Sequence, residues 1–264
     1  MSTPSMPRST KAMARLYVVA VLAFLFAPLV VVVLFSFHSA PRMSFPFEGF
    51  SLRWYDQVLH DQLVIDAMRR SAIAAVLTGL MTAVLGLTAS LALVGARTRV
   101  RATTMVAAMV PLTFPTLLYA IGLAITYHFF GVGYSLRATI AGHVIVALPF
   151  VFLIIGASLD RFRFSLLEAA FDLGASPWLA FRKVTLPLIL PAVLGATVLA
   201  MALSADEFVV AFFTAGQEKT LPLLLYARIN QGLDPSLNAI GTILLVATTS
   251  LAWVSAARTS KENQ

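Results

Sequence analysis

Long apolar stretches alternate with short polar ones along this chain. A helix needs about 20 apolar residues to cross the hydrocarbon core of a bilayer. Six stretches meet that length: 16–37, 71–94, 105–129, 138–159, 188–213 and 237–257. Lipid offers no partner for free backbone N–H and C=O groups, so such stretches are expected to be helical. A β-barrel would instead show alternating segments of about ten residues. The pattern therefore predicts an all-α, polytopic membrane protein with six spans, read as one domain over 1–264. The first stretch carries no charge and contains Pro28. It exceeds the 7–15-residue apolar core of a cleaved signal peptide and is expected to be a retained span.

Composition agrees with this pattern. Hydrophobic residues make up 59% of the 264 and charged residues only 12%, with mean hydropathy +0.87. Soluble domains carry about 45–50% apolar and about 25% charged residues. The net charge of +7 would raise nucleic acid as a partner of a soluble protein. Here it is better read as retention of basic loops beside an anionic lipid surface, with no nucleic acid involved. With six spans both termini share one side. Seven of the 19 bases fall in the outer segments if the termini are inside: Arg42, Arg53, Arg69, Arg70, Arg137, Lys219 and Arg228. The other twelve fall inside, three of them in the short loop RTRVR at 97–101. The positive-inside rule thus places both termini in the cytoplasm, with Arg69 and Arg70 running against it. The mixed segment 54–70 before the second span is expected to lie along the outer surface as a helix. There is no cysteine, which removes disulfides, thiolate metal sites and a cysteine nucleophile.

The inner loop 160–187 breaks the apolar pattern with SLLEAAFDLGASPWLAFRKVTLP, residues 165–187. Ser165 and Glu168 have capping-box spacing, so a helix is expected to start at Ser165. Gly174 suits its C-terminal turn. Ser176 and Pro177 then read as the cap and first turn of a second helix. The loop is predicted as helix, turn, helix. At about 100° per residue, Leu166, Ala169, Ala170 and Leu173 share one face, widened by Leu167 and Phe171, while Glu168 and Asp172 form a narrow acidic stripe. That apolar arc is wider than a helix resting on a membrane needs. It fits contact with two surfaces, and it also fits a plain amphipathic connector at the lipid interface.

The residues Glu168-Ala169-Ala170, then Gly174, Val184 and Leu186-Pro187, resemble the EAA loop of type I ABC importer permeases. The family has isoleucine where this chain has Val184. The resemblance implies that the loop is a coupling helix, with Glu168, Ala169, Ala170, Gly174, Leu186 and Pro187 facing a partner ATPase. It also implies two ATPase subunits that hold ATP and magnesium, a second permease subunit, an extracytoplasmic solute-binding protein, and a bacterial inner-membrane location. DEFVVAFFTAG at 206–216 and TLPLLLYARINQGLDPSLNAIGTILL at 220–245 narrow the resemblance to the second permease subunit of the spermidine/putrescine family. Permeases resembling those for 2-aminoethylphosphonate and for opines share that subfamily. This chain has Asp206-Glu207 where polyamine permeases tend to have paired aspartates.

Asp206 and Glu207 stand near the outer end of the fifth stretch, where an acid costs less than at the bilayer centre. They are candidates for a cation-attracting path lining, or are two acids at the interface facing water. Neighbouring residues on a helix differ by about 100°, so one can face the path while the other faces a neighbour. Tyr119, in the third stretch that Pro111, Pro115 and Gly122 are expected to break or bend, is a further path candidate. His128 and His143 are isolated, with no paired metal-ligand spacing, and no metal site is expected. GQEKT at 216–220 lacks the glycine that a phosphate loop places before its lysine. No nucleophile–base arrangement is present, so the chain is expected not to be an enzyme. The rival from another class is an ion-coupled secondary transporter that uses Asp206 and Glu207 as coupling acids.

Overall fold

The structure, a computed structural model, describes residues 8–41, 47–232 and 234–262, with side chains described for 10–41, 47–232 and 234–250. In chain order the helices are α1 (Arg8–Ser36), α2 (Arg53–His60), α3 (Gln62–Ala92), α4 (Thr98–Thr113), α5 (Thr116–Phe129) and α6 (Leu136–Asp160). There follow α7 (Ser165–Asp172), α8 (Pro177–Ala180), a π-helical turn (Phe181–Thr185), α9 (Leu186–Asp206), α10 (Val209–Thr214), α11 (Leu221–Gln231) and α12 (Pro235–Glu262). No strand occurs among the described residues. Among the described residues four helical segments are long and apolar enough to cross a membrane: Thr10–Ser36, Gln62–Ala92, Leu136–Asp160 and Pro177–Asp206. The pair α4 and α5 makes a fifth if it is one broken span. The sixth expected span, 237–257, is helical within α12, but its last residues lie outside those whose side chains are described.

The chain divides into two compact units, Met1–Val64 with Leu225–Gln264, and Ile65–Leu224. In the larger unit α6 is the central helix, packed on α9, α4, α10 and α5. Its core is made of small and branched side chains: Ala83 of α3, Ala147, Val151 and Ile155 of α6, and Ile189, Val193, Ala196 and Ala200 of α9. Lipid is as apolar as these side chains, so burial against lipid gives no net drive. Close van der Waals packing and interhelical hydrogen bonds hold such helices together. Small residues permit that approach, and Ser90 Oγ of α3 donates to the Phe152 carbonyl of α6 at 3.3 Å. Arg101 of α4 pairs with Asp160 at the close of α6.

In the smaller unit α1 and α2 both pack on α12. The amphipathic α2 buries Trp54 and Val58 and leaves its polar residues exposed. Trp54 Nε1 donates to the His38 carbonyl at 2.7 Å. Asp61 sits before α3, where it accepts from the N–H groups of Leu63 (2.9 Å) and Val64 (3.4 Å) and pairs with Arg228 of α11. Burial alone would push the Asp61 carboxyl up. The hydrogen bond and charge of Arg228, with the two N–H groups, outweigh it and hold the carboxyl below its ordinary value of 3.8.

Two expectations need correction and a third is narrowed. The helix of the 160–187 loop starts at Ser165 as expected, but Phe164, not Ser165, is its N-cap, with no side-chain cap bond. The Glu168 N–H is taken by the Phe164 carbonyl at 3.1 Å, so Ser165 caps nothing and the capping box does not form. Of the break or bend expected in the third span, the structure shows a break: α4 and α5 meet at 96° at Phe114-Pro115, while Pro111 stays inside α4. The surface helix expected over 54–70 ends at His60, and 62–70 are the first turns of α3.

Candidate functional site

Two polar interruptions carry the candidate residues. The first is the loop around α7. Its exit is built by backbone alone. Gly174 adopts φ +82°, its N–H returns to the Phe171 carbonyl at 2.8 Å, and the Ala175 N–H returns to Ala170 at 3.0 Å. This is the paired bonding of a Schellman motif, which needs a residue in the left-handed conformation and therefore favours glycine. Ser176 then caps α8, its side chain accepting from the Leu179 N–H at 3.3 Å. Pro177 opens that helix.

From Pro177 the chain does not turn again. The helix runs without a break through the π turn to Asp206, over 30 residues. The expected second loop helix and the fifth span are therefore one rod. Pro187 lacks an N–H and its ring would press on the Lys183 carbonyl. The wider π turn just before it absorbs that mismatch, with the Leu186 N–H reaching back five residues to Phe181. Leu186 is half-buried and Pro187 exposed, and both belong to the start of α9.

α7 packs on α8 and the π turn, and buries none of its residues. Leu167 and Ala170 are half-buried. Leu166, Ala169 and Leu173 form a bare stripe at the i, i+3, i+7 spacing, with Leu173 89% exposed. Glu168 and Asp172 are also exposed. One side of the wide apolar arc thus meets the protein and the other meets nothing among the described residues.

The second interruption is the end of α9. The expected span 188–213 stops at Asp206, and α10 restarts at Val209. Glu207 takes up the break. Its backbone is extended, and its Oε1 accepts from the Val210 N–H at 3.1 Å. Asp206 is exposed and has no side-chain partner among the described residues. So the two acids have different duties: Glu207 holds the next helix, and Asp206 is free. α10 packs on α5 and α6. Tyr119 of α5 donates its O–H to the Gly142 carbonyl of α6 at 3.3 Å. It also borders an open apolar groove of about 450 Å³ at the α4–α5 bend. The structure thus engages Tyr119 with α6 and Glu207 with α10, and leaves Asp206 exposed.

The sequence did not point to a buried polar chain beside this break. His143 of α6 contacts Ser204 Oγ through Nδ1 at 2.8 Å, and Ser204 donates to Thr78 Oγ1 of α3 at 3.3 Å. His143 is 1% exposed and its Nε2 has no partner. Nothing in the local sequence marks these three. Serine and threonine in membrane helices commonly bond their own helix backbone, as Thr82 and Thr197 do here. Among the described residues no group of acids and histidines has the makings of a metal site.

Comparison with known proteins places this geometry. The chain is 33% identical over 233 residues to the spermidine/putrescine transport system permease protein PotC of Escherichia coli K12, covering 87% of each. It is 30% identical over 248 residues to the PotC protein of Haemophilus influenzae, covering 94% of this chain and 96% of that one. It is 32% identical to the putrescine transport system permease protein PotI of E. coli K12, covering 90% and 89%. A chain from the crystal structure of a bacterial ABC transporter involved in import of the acidic polysaccharide alginate has the same fold, with TM-score 0.72 over 98% of this chain and 99% of that one, at 17% identity. The family model for the inner membrane component of binding-protein-dependent transport systems matches residues 75–257. With its apolar helices and its exposed α7 turn, this chain belongs to that family, the type I ABC importer permeases, and is a multi-pass inner-membrane protein.

Proposed function

We propose that this chain is one of two permease subunits of an ATP-driven importer for a small cationic solute, most simply a polyamine such as putrescine or spermidine. In this reading the whole chain, 1–264, acts as a single permease domain with both termini in the cytoplasm. A second, related permease completes the path. Two ATPase subunits, holding ATP and magnesium, sit beneath, and a soluble binding protein delivers the solute from outside. The chain itself is not an enzyme.

The observation that carries the transport reading is the bare stripe Leu166, Ala169, Leu173 on α7, bordered by Glu168 and ended by Gly174. A helix that leaves a leucine 89% exposed in a water-facing loop is suited to an apolar groove on a partner. The ATPase fills that role. Movement of α7 reaches the membrane through α8 and the π turn that it packs on. The rod Pro177–Asp206, at 1.5 Å per residue, then carries it roughly 45 Å to the free acid. Closure of the ATPases would thus tilt one rigid helix whose far end bears Asp206. The substrate class is supported by the names of the PotC and PotI relatives and by an unpaired carboxylate at that far end.

Uptake of radiolabelled putrescine and spermidine into cells carrying or lacking the chain tests this. Uptake above the deletion strain is expected, and an ATPase subunit should co-purify with the tagged chain. No uptake of either amine, with 2-aminoethylphosphonate taken up instead, overturns the substrate. Absence of any co-purifying ATPase overturns the importer.

A further inference from the structure

The outer end of α9 is held in place by the buried chain His143–Ser204–Thr78, and its hydrogen-bond direction can be worked out. Ser204 has one hydroxyl hydrogen, and it is committed to Thr78 Oγ1. The 2.8 Å contact with His143 Nδ1 must then be an N–H donating to Ser204 Oγ. The order is therefore His143 Nδ1–H to Ser204 Oγ–H to Thr78 Oγ1, joining α6, α9 and α3 through side chains 1%, 5% and 0% exposed. Ser204 stands two residues before Asp206. At about 100° per residue the two side chains point about 200° apart. Pinning Ser204 inward therefore fixes the rotation of the last turn of α9 and directs Asp206 outward.

We infer that His143 is a positioning residue: through Nδ1–H and Ser204 it sets the rotation of the end of α9, and so the place of the Asp206 carboxylate that meets the cationic solute. The last clause rests on the proposed function; the positioning itself does not. Among the described residues no other side-chain hydrogen bond ties the last turn of α9 to its neighbours. Asp206 has no partner to hold it, and Glu207 is engaged with α10. The buried Nε2 of His143, which has no partner, is not the atom that acts.

The test separates the two ring nitrogens. The amide of asparagine replaces Nδ1 and that of glutamine replaces Nε2. In assembled transporter in membrane vesicles, Ser204→Ala and His143→Gln should each raise the half-saturating putrescine concentration about tenfold, the cost of one lost buried hydrogen bond. The maximal rate should change less, and His143→Asn should recover to within about threefold. In an Asp206→Asn background the Ser204→Ala effect should shrink below about twofold, because coupled residues are not additive. A second readout does not depend on substrate. The chain has no cysteine, so Asp206→Cys gives it a single thiol. Labelling of that thiol by a membrane-impermeant reagent should change several-fold with Ser204→Ala or His143→Gln and return with His143→Asn. If the parent takes up no amine, the substrate reading fails and labelling alone decides this inference. Labelling rates unchanged by Ser204→Ala, or recovery by His143→Gln but not by His143→Asn, overturn it.

Discussion

Two interruptions of the apolar pattern, the loop around α7 and the break after α9, hold their shapes by opposite means. Around α7 the bonds that close the turn join residues at most five apart: Gly174 to Phe171, Ala175 to Ala170, Leu179 to Ser176. After α9 the bonds reach across the bundle. The Ser135 N–H donates to the Thr214 carbonyl at 2.9 Å, Thr139 and Thr214 hydroxyls meet at 3.0 Å, and Glu218 accepts from the Leu136 N–H at 2.6 Å. The first device is a self-contained turn on an exposed surface and can be moved as a unit. The second is tied to α6 and moves only if α6 does. That division suits a coupling element at one end of a rod and, at the other, a site that moves together with α6.

The largest effect should come from changing the exposed face of α7 or the turn that ends it. Glu168→Lys reverses a charge beside the bare stripe, and Gly174→Asp places a side chain at a left-handed residue of the turn. Uptake should fall roughly tenfold or more, the usual scale of coupling between sites. The amount of chain in the membrane and its melting temperature in detergent should stay nearly unchanged. Loss of inserted protein in step with loss of uptake would mean that α7 supports the fold rather than transmitting motion.

The same contrast explains what could be read in the sequence. Gly174, Ser176 and Pro177 set the α7–α8 turn through local rules, and those expectations hold in the structure. The capping box failed because the Phe164 carbonyl reached the Glu168 N–H first, a choice that side-chain spacing does not encode. Apolar run length located the four long spans found among the described residues, but it could not show that α8 and α9 form one rod, since proline in a membrane helix signals either a break or an absorbed strain. The break at Glu207 was invisible for a different reason. It depends on α10 packing on α5 and α6. His143 seemed isolated because its partners lie 61 and, through Ser204, 65 positions away in sequence. Only the packed bundle brings them together.

Two glycines offer a direct test of the contrast. Gly174 and Gly216 both adopt positive φ, +82° and +57°. A Cβ on Gly174 would meet nothing within 4 Å, whereas one on Gly216 would lie 2.9 Å from the Tyr134 carbonyl oxygen and 3.2 Å from its Cβ. Gly174→Ala should therefore cost only the backbone penalty, about 1 kcal/mol. Gly216→Ala adds overpacking against a backbone that cannot step aside, for a total of about 2–4 kcal/mol. Thermal unfolding of the purified chain in one detergent should rank Gly216→Ala well below Gly174→Ala. Equal melting temperatures would show that the 214–218 segment is not tied to α6 in the way described.

The smallest effects distinguish the regions by reach rather than by size. Ser176 caps its own helix, and Glu218 caps the start of α6 from 82 positions away. Losing an N-cap serine costs about 1 kcal/mol, and losing a carboxylate from a helix N-terminus costs about 0.3–1 kcal/mol, so melting curves will hardly separate Ser176→Ala from Glu218→Ala. Hydrogen exchange will. Ser176→Ala should speed exchange only in the first turn of α8, around the Leu179 amide, because no other element depends on that bond. Glu218→Ala should speed exchange at Leu136 and in the 214–218 segment together, since one bond joins the two. Exchange confined to a single stretch in the Glu218 variant would separate that segment from α6, and the outer interruption would then be as self-contained as the inner one.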